Sequence, residues 1–301
     1  MTATTATISS AALSATISTL GAELQALRTE DGKDLLWDGD PVFWTGRAPI
    51  LFPVIGALNG EVYRLAKRTY PMPKHGFARR KQFAVTAQDD AAVTFRLAAD
   101  DGTRAIYPFE FALEVTFRLV GPSLTVSAAI GNLGEADMPA SLGFHPALRW
   151  PLPFGQSRAA HRIVFAQPEP APVRRIDHDG LLRPEHFATP VAGDTLVLRD
   201  DLFADDALIF DALASRSVTY GAPEGPQMQV EFDDFPDLGV WSKPGAGFIC
   251  IEPWQGSADP AGFAGDIRDK PGIVMIPAGS VRHYAMSLSL IGEPAQSSTS
   301  V

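Results

Sequence analysis

An apolar segment of the chain leads to a carboxylate that is followed at once by an aromatic, turn-forming sequence. The segment reads Ile249-Cys250-Ile251-Glu252-Pro253-Trp254-Gln255-Gly256. A carboxylate at the end of a buried strand is costly unless it is hydrogen-bonded, and a pocket that desolvates it raises its basicity. We therefore interpret Glu252 as a candidate general base. The structural alternative is a buried glutamate paired with a neighbouring arginine.

Two histidines lie in settings that complement this carboxylate. His145 ends an apolar strand pattern in Ser141-Leu142-Gly143-Phe144-His145-Pro146-Ala147-Leu148, and His75 lies in Pro73-Lys74-His75-Gly76-Phe77-Ala78-Arg79. Histidine is the side chain best suited to donate a proton near neutral pH, so a histidine opposite Glu252 would place acid and base in one cleft. Each histidine alone is also compatible with a structural role. The combination with Glu252 favours catalysis.

At these residues the sequence resembles the aldose 1-epimerase (mutarotase) family, in particular its bacterial aldose-epimerase-like branch. The resemblance extends from about residue 6 to about residue 290 and rests on five blocks in the family's order. The blocks are Gly46-Arg47-Ala48-Pro49-Ile50-Leu51-Phe52-Pro53, His75-Gly76-Phe77-Ala78-Arg79, Gly143-Phe144-His145-Pro146, Leu238-Gly239-Val240-Trp241-Ser242-Lys243-Pro244 and Cys250-Ile251-Glu252-Pro253-Trp254.

The resemblance implies an isomerase that interconverts the α and β anomers of a hexose or related aldose without a cofactor. It implies that Glu252 is the base at the C1 hydroxyl and His145 the acid at the ring oxygen, with the roles reversed on reclosure. It also implies that His75 and Arg47 bind the sugar. The forked, permanently charged head of arginine suits that task, and a surface salt bridge is the alternative for Arg47.

Further residues are candidates for substrate binding. Trp241 and Trp254 could each offer a flat face to the sugar, although core packing explains them equally well. The motif around the sugar-binding Asp of galactose mutarotases is not recognisable. Asp237 is the nearest candidate, with a solvated turn carboxylate as the alternative.

A cationic cluster near His75 raises the possibility of a phosphorylated substrate. A hexose 6-phosphate needs cations for its dianion, and the residues available are Lys67, Lys74, Arg79 and Arg80. Arg80 and Lys81 also read as an ordinary solvent-facing charge pair. A hexose-6-phosphate mutarotase is therefore an alternative function.

The elements that must position these residues are short β-rich runs separated by Gly, Pro, Asn and Asp. Alternation of apolar and polar residues predicts strands within 93–97 and 124–128, and strand-forming residues predict another over 111–119. Turn chemistry predicts breaks at Asn59-Gly60, Asp101-Gly102 and Gly121-Pro122. Antiparallel sheets follow from this pattern.

The chain contains 26 Gly and 25 Pro and shows no extended helical period. We predict an all-β fold of large, twisted antiparallel sheets packed face to face. The resemblance implies the same class, a galactose mutarotase-like β-supersandwich. We expect one domain over residues 1–291, a flexible tail over 292–301, and a long Pro-rich connection over 151–190 that forms a rim over the pocket.

The net charge, the cysteine count and the hydropathy of the chain limit the kinds of partner and compartment that we expect. The 301 residues carry a formal net charge of −10, which argues against a nucleic-acid or anionic-membrane partner and suits a small sugar. The only cysteine, Cys250, lies in an apolar run and reads as a buried structural thiol. No secretory signal or membrane span is apparent, so we expect a cytoplasmic protein, either monomer or homodimer.

Other functions fit the sequence less well. The six histidines lack zinc-site spacing, and Asp177, Asp179 and Gly180 resemble only the start of a calcium loop, so we predict no metal. A non-catalytic carbohydrate-binding protein would have no reason to hold both a His and a Glu. A glycoside hydrolase usually employs two carboxylates, and only Glu252 has a convincing setting.

Overall fold

The computed structural model describes residues 4–292, and nearly all of its regular structure is strand. The strands are β1 (Thr5–Ser9), β2 (Leu13–Ser18), β3 (Leu24–Thr29), β4 (Ile50–Leu51), β5 (Val62–Leu65), β6 (Arg68–Pro71), β7 (Ala84–Gln88), β8 (Ala92–Ala98), β9 (Phe111–Val120), β10 (Ser123–Asn132), β11 (Met138–Ala140), β12 (Leu142–Phe144), β13 (Ala147–Arg149), β14 (Arg162–Phe165), β15 (Thr195–Val197), β16 (Leu208–Phe210), β17 (Ser217–Gly221), β18 (Gln227–Glu231), β19 (Asp237–Trp241), β20 (Phe248–Gln255), β21 (Val274–Ile276) and β22 (Val281–Ile291).

Helical structure in this part of the chain is short. The single α-helix, α1 (Asp101–Ile106), has six residues. The 3-10 helices are Asn59–Glu61, Ala78–Arg80, Arg158–Ala160, Asp200–Phe203 and Ile267–Asp269.

The larger sheet has nine antiparallel strands in the order β15-β14-β17-β18-β22-β10-β9-β8-β7. The three strands predicted within 93–97, 111–119 and 124–128 lie in β8, β9 and β10, whose residues largely alternate between buried and more exposed. The turn predicted at Gly121 connects β9 to β10, and its φ of +53° lies in the left-handed region that favours glycine.

The second sheet has the order β16-β19-β20-β12-β4, with β13 also paired to β20. One hydrophobic core contains residues of both sheets, among them Phe117 and Leu288 from the first and Leu238 and Ile251 from the second. Smaller sheets pair β1-β2-β3, β5-β6 and β11-β21. The predicted all-β supersandwich is confirmed.

Strand β20 is buried along nearly its whole length because both of its faces are covered. Ile249 and Ile251 join the main core. The alternate residues point to the opposite face, where the functional site lies. These are Phe248, Cys250, Glu252 and Trp254. Glu252 therefore lies inside the strand, whereas the sequence interpretation placed it at the strand end.

Two predicted turns have other structures. Residues Asn59 and Gly60 form a 3-10 helix with Glu61. Asp101 and Gly102 begin α1, because the Asp100 carboxylate accepts a hydrogen bond from the Thr103 N–H and the Thr103 hydroxyl accepts one from the Asp100 N–H. This capping box favours a helix start over a tight turn.

The ends and connections also differ in part from expectation. The connection predicted over 151–190 includes β14, which pairs in the large sheet with β15 and β17. Most of the predicted tail, residues 293–301, lies outside the described residues. A single domain over 1–291 stays a prediction.

Candidate active site

A gap between β12 and β13, which both pair with β20, brings His145 opposite Glu252. Strand β13 pairs with one end of β20 and β12 with the other, and both ladders share one register. The partners are Ala147 with Cys250 and Gly143 with Trp254. His145 and Pro146 fill the gap, so His145 faces Glu252. Pro253, which has no N–H to donate, lies in this stretch where β20 needs no partner on that side.

The two side chains are close and almost completely buried. Nε2 of His145 lies 3.2 Å from Oε2 of Glu252, and their side chains are 8% and 2% exposed. Burial raises the pKa of Glu252 well above its ordinary value, and the nearby Asp206 adds to this, while Lys74 opposes it. Burial lowers the pKa of His145 to about 3, with Arg79 and Lys74 contributing.

These shifts define the proton content of the pair. Burial disfavours both charged forms, so the pair favours a protonated Glu252 carboxyl beside a neutral His145 imidazole over an ion pair. Transfer of that proton across 3.2 Å converts the pair into a carboxylate and an imidazolium. A general acid and a general base are thus available within proton-transfer reach of each other.

His75 is held in one tautomer by the chain segment beside it. The backbone N–H of Gly56 donates to the ring Nδ1 of His75 at 3.1 Å. The backbone N–H of His75 donates to the Gly56 carbonyl at 2.9 Å. Burial lowers the pKa of His75 well below its ordinary value, and His145 adds to this. The neutral ring therefore carries its proton on Nε2 and acts as a hydrogen-bond donor.

These groups line a cavity of about 200 Å³. That volume is below the usual range of pockets for drug-sized ligands and suits a ligand of monosaccharide size. The lining residues are Trp44, Ile55, Gly56, Lys74, His75, Arg79, His145, Ile176, Gly180, Asp206, Ala207, Ile209, Trp241, Glu252, Trp254 and Ala258. A wider cavity of about 560 Å³ has Lys74 in its wall as well.

Two glycines of the sequence blocks make room for Trp254 in this wall. A Cβ at Gly239 would lie 2.5 Å from Cη2 of Trp254, and one at Gly143 would lie 2.6 Å from its Cδ1. The indole N–H of Trp254 is buried and forms no hydrogen bond of normal geometry within residues 4–292, although it lies near the Glu252 carboxylate and favours the charged form of that group. Because an unpaired buried donor is costly, this N–H is available to a ligand.

The cavity brings together most of the residues predicted from the sequence to act on a sugar. His75, Arg79, His145, Trp241, Glu252 and Trp254 all line it. Arg47 and Asp237 do not. Ile176 and Gly180, from the predicted rim segment, form part of the wall.

Arg47 and Asp237 have other surroundings than the sequence interpretation gave them. Nη1 of Arg47 donates to the Gln25 carbonyl at 2.6 Å, because the backbone of Arg47 is fixed by Ala147 and Glu23. Asp237 pairs with Trp254 in the β19–β20 ladder without lining the cavity, and burial raises its pKa to about 7, with Asp211 contributing. It is a half-buried strand residue rather than a solvated turn carboxylate.

Among the aromatic and charged residues that line the cavity, sequence reasoning missed two. Trp44 precedes the Gly46 block, and Asp206 lies in an acidic loop before β16. Neither has a local motif. For Trp44, the only available signal was a tryptophan two residues before a block of the resemblance. For Asp206, the unusual backbone that presents it, with φ of +64°, is not visible in sequence.

Metal-ligating atoms also come together at two places in the described chain. One group is His145, Cys250 and Glu252, and the other is Asp177, His178 and Asp179. Burial raises the pKa of the Cys250 thiol well above its ordinary value. Cys250 is therefore a neutral thiol rather than the thiolate that metals prefer.

The fold and the cavity define a galactose mutarotase-like β-sandwich with a buried His–Glu pair. The family model for aldose 1-epimerase matches residues 4–272. The chain belongs to the aldose 1-epimerase family. In the described residues, no helix has the length and apolar character needed to cross a membrane.

Relatives and solved structures agree with this family. The chain is 33% identical over 269 residues to the plasmid-encoded protein LacX of Lactococcus lactis subsp. lactis, covering 86% of this chain and 90% of that protein. A galactose mutarotase-like protein from Lactobacillus casei superposes with a TM-score of 0.89 at 34% identity, covering 96% and 100% of the two chains. A galactose mutarotase related enzyme from Lactobacillus acidophilus superposes with a TM-score of 0.87 at 28% identity, covering 97% of this chain and 99% of that chain.

Proposed function

We propose that this protein is an aldose 1-epimerase that opens and recloses the ring of a hexose or related aldose. The observation that carries the proposal is the buried His145–Glu252 pair, 3.2 Å apart in a cavity of monosaccharide size. Ring opening needs one proton removed from the C1 hydroxyl and one delivered to the ring oxygen. A pair that shares one proton meets this requirement without any net uptake or release.

In the proposed reaction Glu252 acts as a carboxylate and His145 as an imidazolium. Glu252 accepts the proton of the C1 hydroxyl while His145 protonates the ring oxygen, and the C1–O bond to that oxygen breaks. Rotation about the C1–C2 bond then presents the other face of the aldehyde. On closure His145 takes the proton from the C5 hydroxyl and Glu252 returns one to the C1 oxygen, which restores both groups.

The remaining wall provides sugar-binding groups. His75 offers an Nε2–H donor, and Trp254 an indole N–H without another partner. We assign Asp206 as the acceptor for sugar hydroxyls in place of Asp237, because Asp206 lines the cavity and Asp237 does not. Trp241 and Trp254 supply apolar ring surface for the C–H side of the sugar.

Anomeric exchange NMR tests this proposal directly. At a pH where spontaneous mutarotation is slow, we expect the protein to accelerate exchange between anomeric protons of at least one of glucose, galactose, xylose and arabinose. His145→Asn should lower the rate by about 100-fold or more, because it removes the general acid. Thermal unfolding of the variant provides the control for a folded protein.

Each other result points to a different function. Line broadening without anomeric exchange would indicate a non-catalytic sugar-binding protein. Wild-type exchange rates in His145→Asn would refute the assignment of the acid. Because Asp206 is a second carboxylate in the cavity, release of sugar from aryl glycosides should be measured in parallel, and hydrolysis there would overturn the epimerase proposal.

A phosphorylated aldose is the second candidate substrate, and the lining of the cavity favours it. Lys74 and Arg79 both line the cavity, and neither takes part in a salt bridge within residues 4–292. The lining carboxyl groups are Asp206 and Glu252, and because the pKa of Glu252 is raised, Asp206 is the main negative charge that opposes these two cations. A phosphate dianion would pair with both.

We expect Lys74→Met to raise the KM for glucose 6-phosphate about tenfold or more, with little effect on the KM for glucose. A charge-assisted hydrogen bond contributes enough binding energy for such a change. Arg80→Met is the matched control, because Arg80 is adjacent but does not line the cavity and bonds the Gly76 carbonyl instead. Equal changes for both sugars in Lys74→Met would exclude phosphate recognition by this lysine.

A further inference from the structure

His145 lies in an enclosure of aromatic rings. The Trp44 indole is stacked on the imidazole, with centroids 4.9 Å apart and an interplanar angle of 29°. Trp241 and His75 contact it edge to face, each at 5.9 Å. Trp44 therefore presents a ring face to His145 at a distance where a cation on His145 would be attracted by the indole quadrupole.

The loop that carries Trp44 is fixed in this position. The indole N–H of Trp37 donates to the Trp44 carbonyl at 2.8 Å, and Nζ of Lys243 donates to the Phe43 carbonyl at 2.6 Å. Any side chain at Gly46 would overlap the Trp44 ring. Trp44 also packs against Phe248, with centroids 5.6 Å apart. The stack on His145 is thus built into the fold.

The other groups around His145 have different effects on a positive charge at its imidazole. Lys74 and Arg79 repel it, His75 is neutral, and the Cys250 thiol is uncharged. Glu252 attracts it once the proton has moved. Among the described residues near the ring, Trp44 is the group whose stacked face favours the imidazolium without itself changing charge.

We propose that Trp44 is a positioning residue that stabilises the imidazolium form of His145 through its stacked indole face. This inference rests on the proposed epimerase reaction for its consequence, since that form delivers the proton to the ring oxygen. The contact lowers the free energy of moving the proton from Glu252 to His145. It should therefore affect kcat more than KM.

The test compares Trp44→Phe, which keeps an aromatic face, with Trp44→Leu, which keeps apolar bulk only. We expect Trp44→Leu to lower kcat about tenfold with little change in KM. Trp44→Phe should keep most of the wild-type kcat. Imidazole 15N shifts of His145 measured between pH 2.5 and 5, around its pKa of about 3, should show a protonated fraction lower by up to about tenfold in Trp44→Leu. Phe248→Leu is the matched control, since Phe248 packs on Trp44 and Trp241 rather than on the imidazole.

The NMR measurement needs no turnover, so it separates this inference from the epimerase proposal. Unchanged 15N shifts in Trp44→Leu, together with a raised KM, would overturn it and make Trp44 a platform for the sugar. Equal loss of kcat in the Phe and Leu variants would also overturn it, because an aromatic face would then have no special effect. If the 15N shifts of His145 changed in Trp44→Leu but the wild-type protein had no epimerase activity, the effect of Trp44 on the imidazolium would be supported. Only the proposed epimerase reaction would be refuted.

Discussion

Glu252→Gln is expected to lower anomeric exchange about 1,000-fold or more while the protein remains folded. Glutamine has nearly the same shape as glutamate but cannot hold or pass on the proton that the reaction needs at C1. Its amide fills the same space opposite His145, so the packing of β20 is preserved. Exchange NMR on the preferred sugar gives the rate, and thermal unfolding gives the stability. Wild-type rates in this variant would show that Glu252 is not the base.

The same substitution has an expected effect on stability that depends on pH. The pKa of Glu252 is raised by burial above its ordinary value of 4.5, so its contribution to folding is fully present below pH 4.5 and is lost as the pH rises through the folded-state value. The amide of the substituted glutamine does not titrate. We therefore expect the stability of Glu252→Gln relative to wild type to increase from pH 4.5 towards pH 8. A difference that is constant over this range would mean that Glu252 ionises normally.

Lys270→Met is expected to cost about 3 to 5 kcal/mol of folding stability. Nζ of Lys270 lies 2.7 Å from Oδ1 of Asp259, and their side chains are only 1% and 5% exposed. Removing the lysine leaves the Asp259 carboxylate buried without a counterion. For a chain of this size such a loss corresponds to a Tm lower by roughly 10 °C, measurable by calorimetry.

The pair also supports the wall of the cavity. Oδ2 of Asp259 accepts a hydrogen bond from the Asn59 N–H at 3.0 Å, its N–H donates to the Ala57 carbonyl, and its carbonyl accepts from the Leu182 N–H. These contacts hold the segment next to Gly56, whose N–H fixes His75. Lys270→Met should therefore weaken sugar binding in addition to stability.

Two further variants control for this prediction. Lys270→Met combined with Asp259→Asn should recover much of the lost stability, since the amide oxygen still accepts from Asn59 and no buried charge remains. Arg28→Met, which breaks the exposed pair with Asp34 at 2.6 Å, should change stability by about 1 kcal/mol or less. If Lys270→Met alone were as stable as wild type, this would show that water reaches the Asp259 carboxylate in the folded protein.

Much of the site was predictable because its signals are local. His145 next to Pro146 lies at a break between two strands, Glu252 next to Pro253 lies in an apolar strand, and Gly143 and Gly239 mark places where a side chain does not fit. Arg47 could not be placed in the same way, because a local motif does not reveal which way a side chain points. Lys74 and Arg79, both named from the sequence, do line the cavity, one on each side of the turn at His75, where φ is +65°.

The amino-acid sequence was sufficient to predict an all-β chain of the aldose 1-epimerase type, because period-two alternation and short motifs are properties of neighbouring residues. The folded chain was needed to see that β12 and β13 share one register on β20, which sets His145 against Glu252 across more than a hundred residues of chain. It was needed equally to find Trp44 and Asp206 in the cavity wall. Their positions depend on loops packed against distant strands, and the energy of that packing is not contained in any local pattern.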